Sequence, residues 1–197
     1  MVRPRTTSDE EILAAAARAV GQVGAARLTL AAVAREAGLA PATLVQRFGS
    51  KRGLLLALAK RGSEGGASPF ETARAADRSP LAALHAALAA LASRVDTPEQ
   101  MANNLGFLQL DLTDPEFREH AAADARRTGR RIAELLTEAV EVGELDARVN
   151  IPGLARAVQV AYNGSLILWS LTGDTPLEQA LRTDVEEVLH PYRSTSS

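Results

Sequence analysis

Three side chains between residues 29 and 51 are suited to binding an anion. Thr29 stands where it would cap a helix, and the N–H groups at the positive end of that helix would face a negative group. Ser50 and Lys51 begin another predicted helix in the same way, with an ammonium group added. The alternative for Lys51 is an ordinary surface charge at a helix start, where the helix dipole slightly disfavours a cation. Only 2 of the 22 basic residues are lysines, so composition alone would not place a lysine at this position. We therefore favour contact with phosphate for Lys51.

Residues suited to bond-making chemistry are scattered. His85, His120 and His190 lie on three different predicted helices without the spacing of paired metal ligands. The chain has no cysteine, no glycine-rich phosphate loop after a strand and no serine nucleophile motif. We therefore expect no catalytic residue, no metal, no cofactor and no enzymatic activity.

Composition and charge describe a globular helical chain with a basic beginning. Of 197 residues, 46% are hydrophobic and only 4% aromatic, and the hydrophobic segments are too short to span a membrane. The expected location is the cytoplasm. Residues 1–61 hold ten basic and four acidic side chains, so they carry a net charge of +6 and the remainder carries −8. A basic first segment on an acidic body favours a polyanion as partner.

Capping and breaking residues divide the chain into about nine helices. Ser8 and Glu11 form a capping-box pattern, and several later helices begin with a capping residue before proline. Glycines at 62, 65 and 66 mark a break, which is either a plain exposed loop or a place where a hinge could form. The predicted helices span residues 9–24, 29–37, 41–48, 51–61, 80–95, 98–112, 115–142, 151–171 and 176–192.

Residues 29–48 have the spacing of a helix-turn-helix. Ala34 stands where two short helices would approach most closely, and Gly38, four residues later, falls in the turn, where the backbone needs a positive φ. Leu39, Leu44 and Phe48 are spaced to fill the small core of the pair. On spacing alone, an ordinary corner between two helices is the alternative.

The residues around this motif resemble the TetR family of transcriptional regulators. The matching positions are residues 12–16, Gly24, residues 28–30, 33–34, 37–39 and 43–44, Phe48, residues 50–51 and residues 54–55. The resemblance implies an all-α protein with an N-terminal three-helix DNA-binding domain, here residues 1–50. A C-terminal helical bundle for ligand binding and dimerisation, residues 51–197, would follow it.

The resemblance also assigns roles in the predicted recognition helix, residues 40–47. In the major groove, Gln46 would read a base edge, its alternative being an ordinary solvated polar residue, while Pro41 and Ala42 offer apolar contact to bases. Thr43 would contact a base or a phosphate. The family usually has serine, tyrosine and often histidine where this chain has Ala40, Val45 and Arg47. Val45 removes one phosphate contact, and Arg47 would supply a stronger one. Arg3 and Arg5 would reach an adjacent minor groove or remain solvated.

The last two predicted helices are the candidates for a dimer interface, because the first of them is apolar on more than one face. The alternative is an internal core helix of a monomer. The interface residues we predict are Leu166, Leu181, Val185, Val188 and Leu189.

Apolar and amide side chains mixed in one helix favour a small-molecule pocket, although they describe an amphipathic helix equally well. The predicted pocket residues are His85, Met101, Asn104, Phe107, Leu108, Tyr162 and Trp169. Tyr162 and Trp169 suit either the pocket or the dimer seam, and the alternative for His85 is an ordinary core or surface histidine.

Taken with the resemblance, these patterns predict a one-component regulator, a repressor that binds near-palindromic double-stranded DNA as a homodimer. A small-molecule effector would release it. The alternative is a helical ligand-binding or scaffold protein that has lost specific DNA binding, which Ala40 and Val45 favour.

Overall fold

Helices account for nearly all of the chain that the structure describes. The computed structural model describes residues 7–64, 68–93 and 95–194. Within these residues lie ten α-helices and one 3₁₀ turn, and their β structure is limited to a single bridge between Leu145 and Arg193. The all-α prediction is confirmed. Arg3, Arg5, Gly65 and Gly66 lie outside the described residues.

The helices follow one another with short connections. They are α1 (Asp9–Arg27), α2 (Leu30–Ala37), α3 (Pro41–Phe48), α4 (Lys51–Glu64), α5 (Pro69–Ala76), α6 (Pro80–Ala92), α7 (Pro98–Thr113), α8 (Pro115–Glu141), α9 (Ile151–Thr172) and α10 (Leu177–Leu189), before the 3₁₀ turn His190–Tyr192. Helix α5 was not predicted, because the sequence pattern indicated only a break between residues 61 and 80.

The chain forms two compact units. The first contains Met1–Glu64 and Glu99–Ala122, and the second contains Gly65–Pro98 and Ala123–Ser197. The first unit therefore includes all of α4, most of α7 and the beginning of α8. These units do not coincide with the division at residue 50, which stays a prediction about function.

Helix α1 begins with a reciprocal cap and is interrupted near its end. The Ser8 hydroxyl accepts a hydrogen bond from the Glu11 N–H at 3.2 Å, and the Glu11 carboxylate accepts one from the Ser8 N–H at 2.8 Å. Gly24 has φ of +76° inside the helix. The Asn103 amide of α7 donates to the carbonyls of Gly21 and Gln22, each at 3.0 Å, which satisfies acceptors beside the interruption.

The core of the first unit surrounds α1. Ile12, Val33, Leu44 and Leu54 are each 0% exposed there, and Phe117 from the start of α8 is 1% exposed. Because these residues come from five different helices, the short helices α2 and α3 gain their stability from packing rather than from their length.

The second unit packs α10 against α6 and α9. Along α9, Leu154, Val158, Tyr162, Ser165 and Trp169 are buried at intervals of three or four residues. Trp169 is fixed by its indole N–H, which donates to the carbonyl of Thr175 at 2.7 Å. We predicted α10 from Pro176, but it begins at Leu177 and has no side-chain cap.

Candidate nucleic-acid interface

The turn between α2 and α3 is set by Gly38. Its φ is +68°, and the Leu39 N–H donates to the Ala34 carbonyl at 2.8 Å while the Gly38 N–H donates to the Arg35 carbonyl at 3.2 Å. This is a Schellman arrangement, in which the left-handed residue satisfies the last carbonyls of a helix. Nothing lies within 4 Å of where a Cβ at Gly38 would stand, so the requirement for glycine is conformational. The predicted positive φ is confirmed.

Helix α3 presents one face to the core and the other to solvent. Leu44 is 0% exposed, whereas Val45 is 49% exposed and Pro41, Ala42 and Gln46 are also exposed. Thr43 is half-buried. The helix begins at Pro41 without a side-chain cap from Ala40. The three predicted base-reading residues therefore lie on one accessible surface of a short helix.

Two helix starts near this surface have the predicted caps. The Thr29 hydroxyl accepts a hydrogen bond from the Ala32 N–H at 3.1 Å at the start of α2. At the start of α4, the Ser50 hydroxyl accepts one from the Gly53 N–H at 3.1 Å. Each cap uses one N–H of the first turn, and the others at that positive end are not used within the helix.

Lys51 has a partner that the sequence analysis missed. Its ammonium donates to the carbonyl of Ala26, near the end of α1, at 2.6 Å. A carbonyl at the negative end of a helix is a favourable site for a cation. An ammonium has three N–H donors, so this bond holds Lys51 in place and leaves two donors for another acceptor.

Arg47 is turned towards the start of α1. Its guanidinium donates to the Thr7 carbonyl at 2.6 Å and lies 3.1 Å from a carboxylate oxygen of Asp9. The side chain is 28% exposed. A contact between Arg47 and phosphate therefore requires a rotamer change or the sharing of its remaining donors.

Arg52 ties the start of α4 to the start of α8. Its guanidinium donates to both carboxylate oxygens of Asp114, at 2.8 and 3.0 Å, and to Glu116 at 2.5 Å. It also lies 5.7 Å from the centre of the Phe117 ring. The hydrogen bond from Arg52 holds the pKa of Asp114 below its ordinary value. This tie lies next to Lys51 and fixes the first turn of α4.

The seven predicted pocket residues are divided between the two units, four in the first and three in the second. In the first unit Met101 is buried, Asn104 is half-buried, Leu108 is 44% exposed, and Phe107 packs edge-on against Phe117 with ring centres 5.9 Å apart. Phe107 thus contributes to the hydrophobic core of that unit.

The other three predicted pocket residues lie in the second unit. His85 is 3.2 Å from a carboxylate oxygen of Glu186, and burial lowers the pKa of its imidazole. Burial raises the pKa of Tyr162 to about 12. Trp169 is buried and lines a cavity of about 340 Å³ near the end of α9.

Three of the four predicted dimer residues of α10 are buried within the chain itself. Leu181, Val185 and Leu189 are no more than 3% exposed, because α10 packs them against α6 and α9 of the same chain. Leu166 and Val188 are half-buried.

The accessible apolar surface of this region lies on α9 instead. Val160, Ile167, Leu168 and Leu171 are 56%, 41%, 60% and 78% exposed. The intervals between them are seven, one and three residues, which places the four within about 100° around the helix axis. We call these four residues the α9 stripe. Sequence periodicity showed that α9 is apolar on several sides but not which side the chain itself covers.

The architecture defines a class of protein: an all-α chain whose first unit contains a helix-turn-helix with an exposed second helix. Residues 12–58 match the family model of bacterial regulatory proteins, tetR family. The resemblance drawn from the motif is therefore confirmed, and this segment is a TetR-family helix-turn-helix domain. No curated protein matches the chain.

Solved structures extend the similarity to the whole fold. A TetR transcription regulator from Haloarcula marismortui matches with a TM-score of 0.76 at 18% identity, covering 94% of this chain and 98% of that one. FadR from Thermus thermophilus, a TetR-family repressor in complex with lauroyl-CoA, matches with a TM-score of 0.62 at 24% identity, covering 96% and 97%. SmeT, the repressor of the Stenotrophomonas maltophilia multidrug efflux pump SmeDEF, matches with a TM-score of 0.63 at 20% identity, covering 97% and 93%.

At these identities the similarity establishes the fold alone. The chain has the fold of TetR-family transcriptional regulators, which are generally not enzymes. In the described part of the chain, no helix combines the length and the apolar character needed to cross a bilayer.

Proposed function

We propose that this protein is a one-component transcriptional repressor that binds near-palindromic double-stranded DNA as a homodimer and is released by a small-molecule effector. The observation that carries the proposal is the exposed face of α3, which presents Pro41, Ala42 and Gln46 beside the buried Leu44. A short helix held by its neighbours and exposed along one side has the geometry needed to enter a major groove.

Phosphate contacts would flank this helix. The starts of α2 and α4 offer N–H groups at positive helix ends, capped by Thr29 and Ser50, and Lys51 adds a positioned ammonium. Thr43 and Arg47 would complete the set, the latter after exchanging its contacts with Thr7 and Asp9. Phosphate contacts fix the register of the protein on DNA, and Gln46 would supply base readout.

Dimerisation would use the α9 stripe, and the half-buried Leu166 and Val188 stay predicted interface residues. Exposed apolar patches of this kind mark protein–protein contact sites. A two-fold symmetric dimer contains two copies of α3, one for each half of a palindromic site.

Effector release needs a contact through which α4 is moved. The hydrogen bonds from Arg52 to Asp114, just before α8, would supply this contact, since α8 contains residues of both units. An effector that reverses a 99:1 population of two dimer forms must bind one form about 5.5 kcal/mol more tightly than the other.

Selection of bound fragments from random duplex DNA tests the proposal directly. A palindromic consensus, with an affinity that falls steeply with salt, is the expected result. Recovery of no sequence above background would favour the alternative of a ligand-binding or scaffold protein that has lost specific DNA binding. The uncapped start of α3 at Ala40 and the exposed apolar Val45 are the observations that support this alternative.

Replacing Lys51 by alanine is expected to weaken binding to all duplexes by a similar factor. If Lys51 neutralises one phosphate, the slope of log affinity against log salt becomes smaller in magnitude by about 0.9. Fluorescence anisotropy with specific and scrambled duplexes over a range of salt measures both effects. Lys60→Ala removes the other lysine from the same helix and is the matched control. An unchanged slope in Lys51→Ala would show that its bond to Ala26 is purely structural.

Replacing Gln46 by alanine is expected to change sequence preference. A lost contact between an amide and a base costs about 1–3 kcal/mol at the base pair it reads and much less at others. Repeating the selection with this variant identifies the base pair, because the consensus should relax at one position in each half-site. Gln22→Ala, on the exposed side of α1, is the control. An identical consensus from Gln46→Ala and the parent would remove Gln46 from the readout.

A further inference from the structure

The second unit contains a cavity that has no part in the proposed contacts with DNA or in the proposed dimer interface. It has a volume of about 340 Å³ and is enclosed by the end of α6, the end of α9, the start of α10 and the connection after α6. This volume is at the lower end of the range for small-molecule sites. A compound with a single aromatic ring and a short chain would fill it.

The lining of the cavity changes from apolar to acidic towards its opening. Ala92, Trp169, Leu177 and Leu181 are each no more than 8% exposed and form the inner wall. Asp96 and Glu178 line the same cavity and are exposed, so their carboxylates stand at the rim. No lysine, arginine or histidine is among the described residues that line it.

We propose that this cavity is a binding site for a small organic cation with an aromatic or aliphatic body. The apolar body would enter the inner wall, and the cationic group would remain near the carboxylates at the opening. Trp169 belongs to the inner wall, so its indole would contact the apolar body of the compound. Either form of ammonium, quaternary or protonated amine, satisfies this chemistry.

The cavity contains its own spectroscopic probe, since Trp169 is the only tryptophan of the chain. We would titrate the full-length protein with three compounds that share a phenyl body: 3-phenylpropyltrimethylammonium, 4-phenylbutanol and 4-phenylbutyrate. The expected result is a saturable change of Trp169 fluorescence with the cation, binding of the alcohol that is several-fold weaker, and no saturation with the carboxylate. Equal affinities for the cation and the alcohol, or no saturation with any of them, would overturn the proposal.

Two variants separate the charge from the cavity. Glu178→Gln is expected to weaken binding of the cation about threefold, as for the loss of an exposed ion pair, and to leave binding of the alcohol unchanged. Glu187→Gln, on the same helix, is its control. Ala89→Phe, at a half-buried position in the lining, should abolish binding of all three compounds, whereas the exposed Ala86→Phe on the same helix should not.

Circular dichroism checks that the phenylalanine variants stay folded. Binding that persists in a folded Ala89→Phe protein would place the site elsewhere, and an unchanged preference for the cation in Glu178→Gln would remove the role of that carboxylate. Because no DNA is present, failure here leaves the proposed regulatory function untouched.

Discussion

Replacing Leu168 by glutamate is expected to convert the protein into a monomer. Leu168 is 60% exposed in the chain and lies on the α9 stripe. If the stripe is the dimer seam, two-fold symmetry brings each change into the interface twice. Each lost leucine costs about 2 kcal/mol of apolar burial, so the dimer loses about 4 kcal/mol before the cost of burying a carboxylate is added. The dimer dissociation constant should therefore rise roughly a thousandfold or more.

Sedimentation velocity over a range of concentrations measures this change. Leu112→Glu is the matched control, because Leu112 has a similar exposure of 62% but lies on α7. Binding of the Leu168→Glu protein to a palindromic site should fall at least about a hundredfold, since the avidity of two linked half-site contacts is lost. A variant that sediments like the parent protein at every concentration would exclude the α9 stripe as the seam.

Much of the fold could be predicted because its signals are local. The positive φ of Gly38, the cap at Thr29 and the reciprocal cap at Ser8 each depend on residues no more than five positions apart. Such contacts form whenever the local sequence adopts a turn or a helix, whatever surrounds it. Spacing therefore predicted the turn and the caps, whereas the residues around the motif were needed to distinguish a helix-turn-helix from an ordinary corner between two helices.

The partners of the long basic side chains could not be predicted. Arg47 contacts Thr7, 40 residues away, Lys51 contacts Ala26, 25 residues away, and Arg52 contacts Asp114, 62 residues away. Arginine and lysine side chains have many rotamers and reach several acceptors at nearly equal cost. Which acceptor is near depends on how the helices pack, and the pattern of one sequence does not contain that information.

The burial of predicted dimer residues within the chain could not be foreseen for a related reason. Apolar periodicity identifies a face that must be covered, but a fold covers some faces within the chain and leaves others for a partner. Leu181 and Val185 are covered within the chain, whereas Leu168 stays exposed and is left for a partner. Only the packing of α10 against α6 and α9 distinguishes them.

Replacing Leu44 by alanine is expected to detach α3 from the first unit. Leu44 is the only fully buried residue of this eight-residue helix. A leucine-to-alanine change in a packed core costs about 2–5 kcal/mol, and a helix this short has no stability of its own in water. The loss should therefore appear first as local opening of α3 and only partly as a lower stability of the whole unit.

Hydrogen exchange distinguishes these two effects, since the amides of α3 should lose protection while those of α1 around Ile12 retain most of theirs. Val45→Ala is the matched control: Val45 is the neighbouring residue on the same helix, is 49% exposed, and its replacement should change stability by no more than about 0.5 kcal/mol. DNA binding in Leu44→Ala should fall in proportion to the open fraction of α3, because only the closed helix fits a groove. If α3 and α1 instead lost protection together, the recognition helix would open only with the core of its unit, and Leu44 would stabilise the whole unit rather than the placement of one helix.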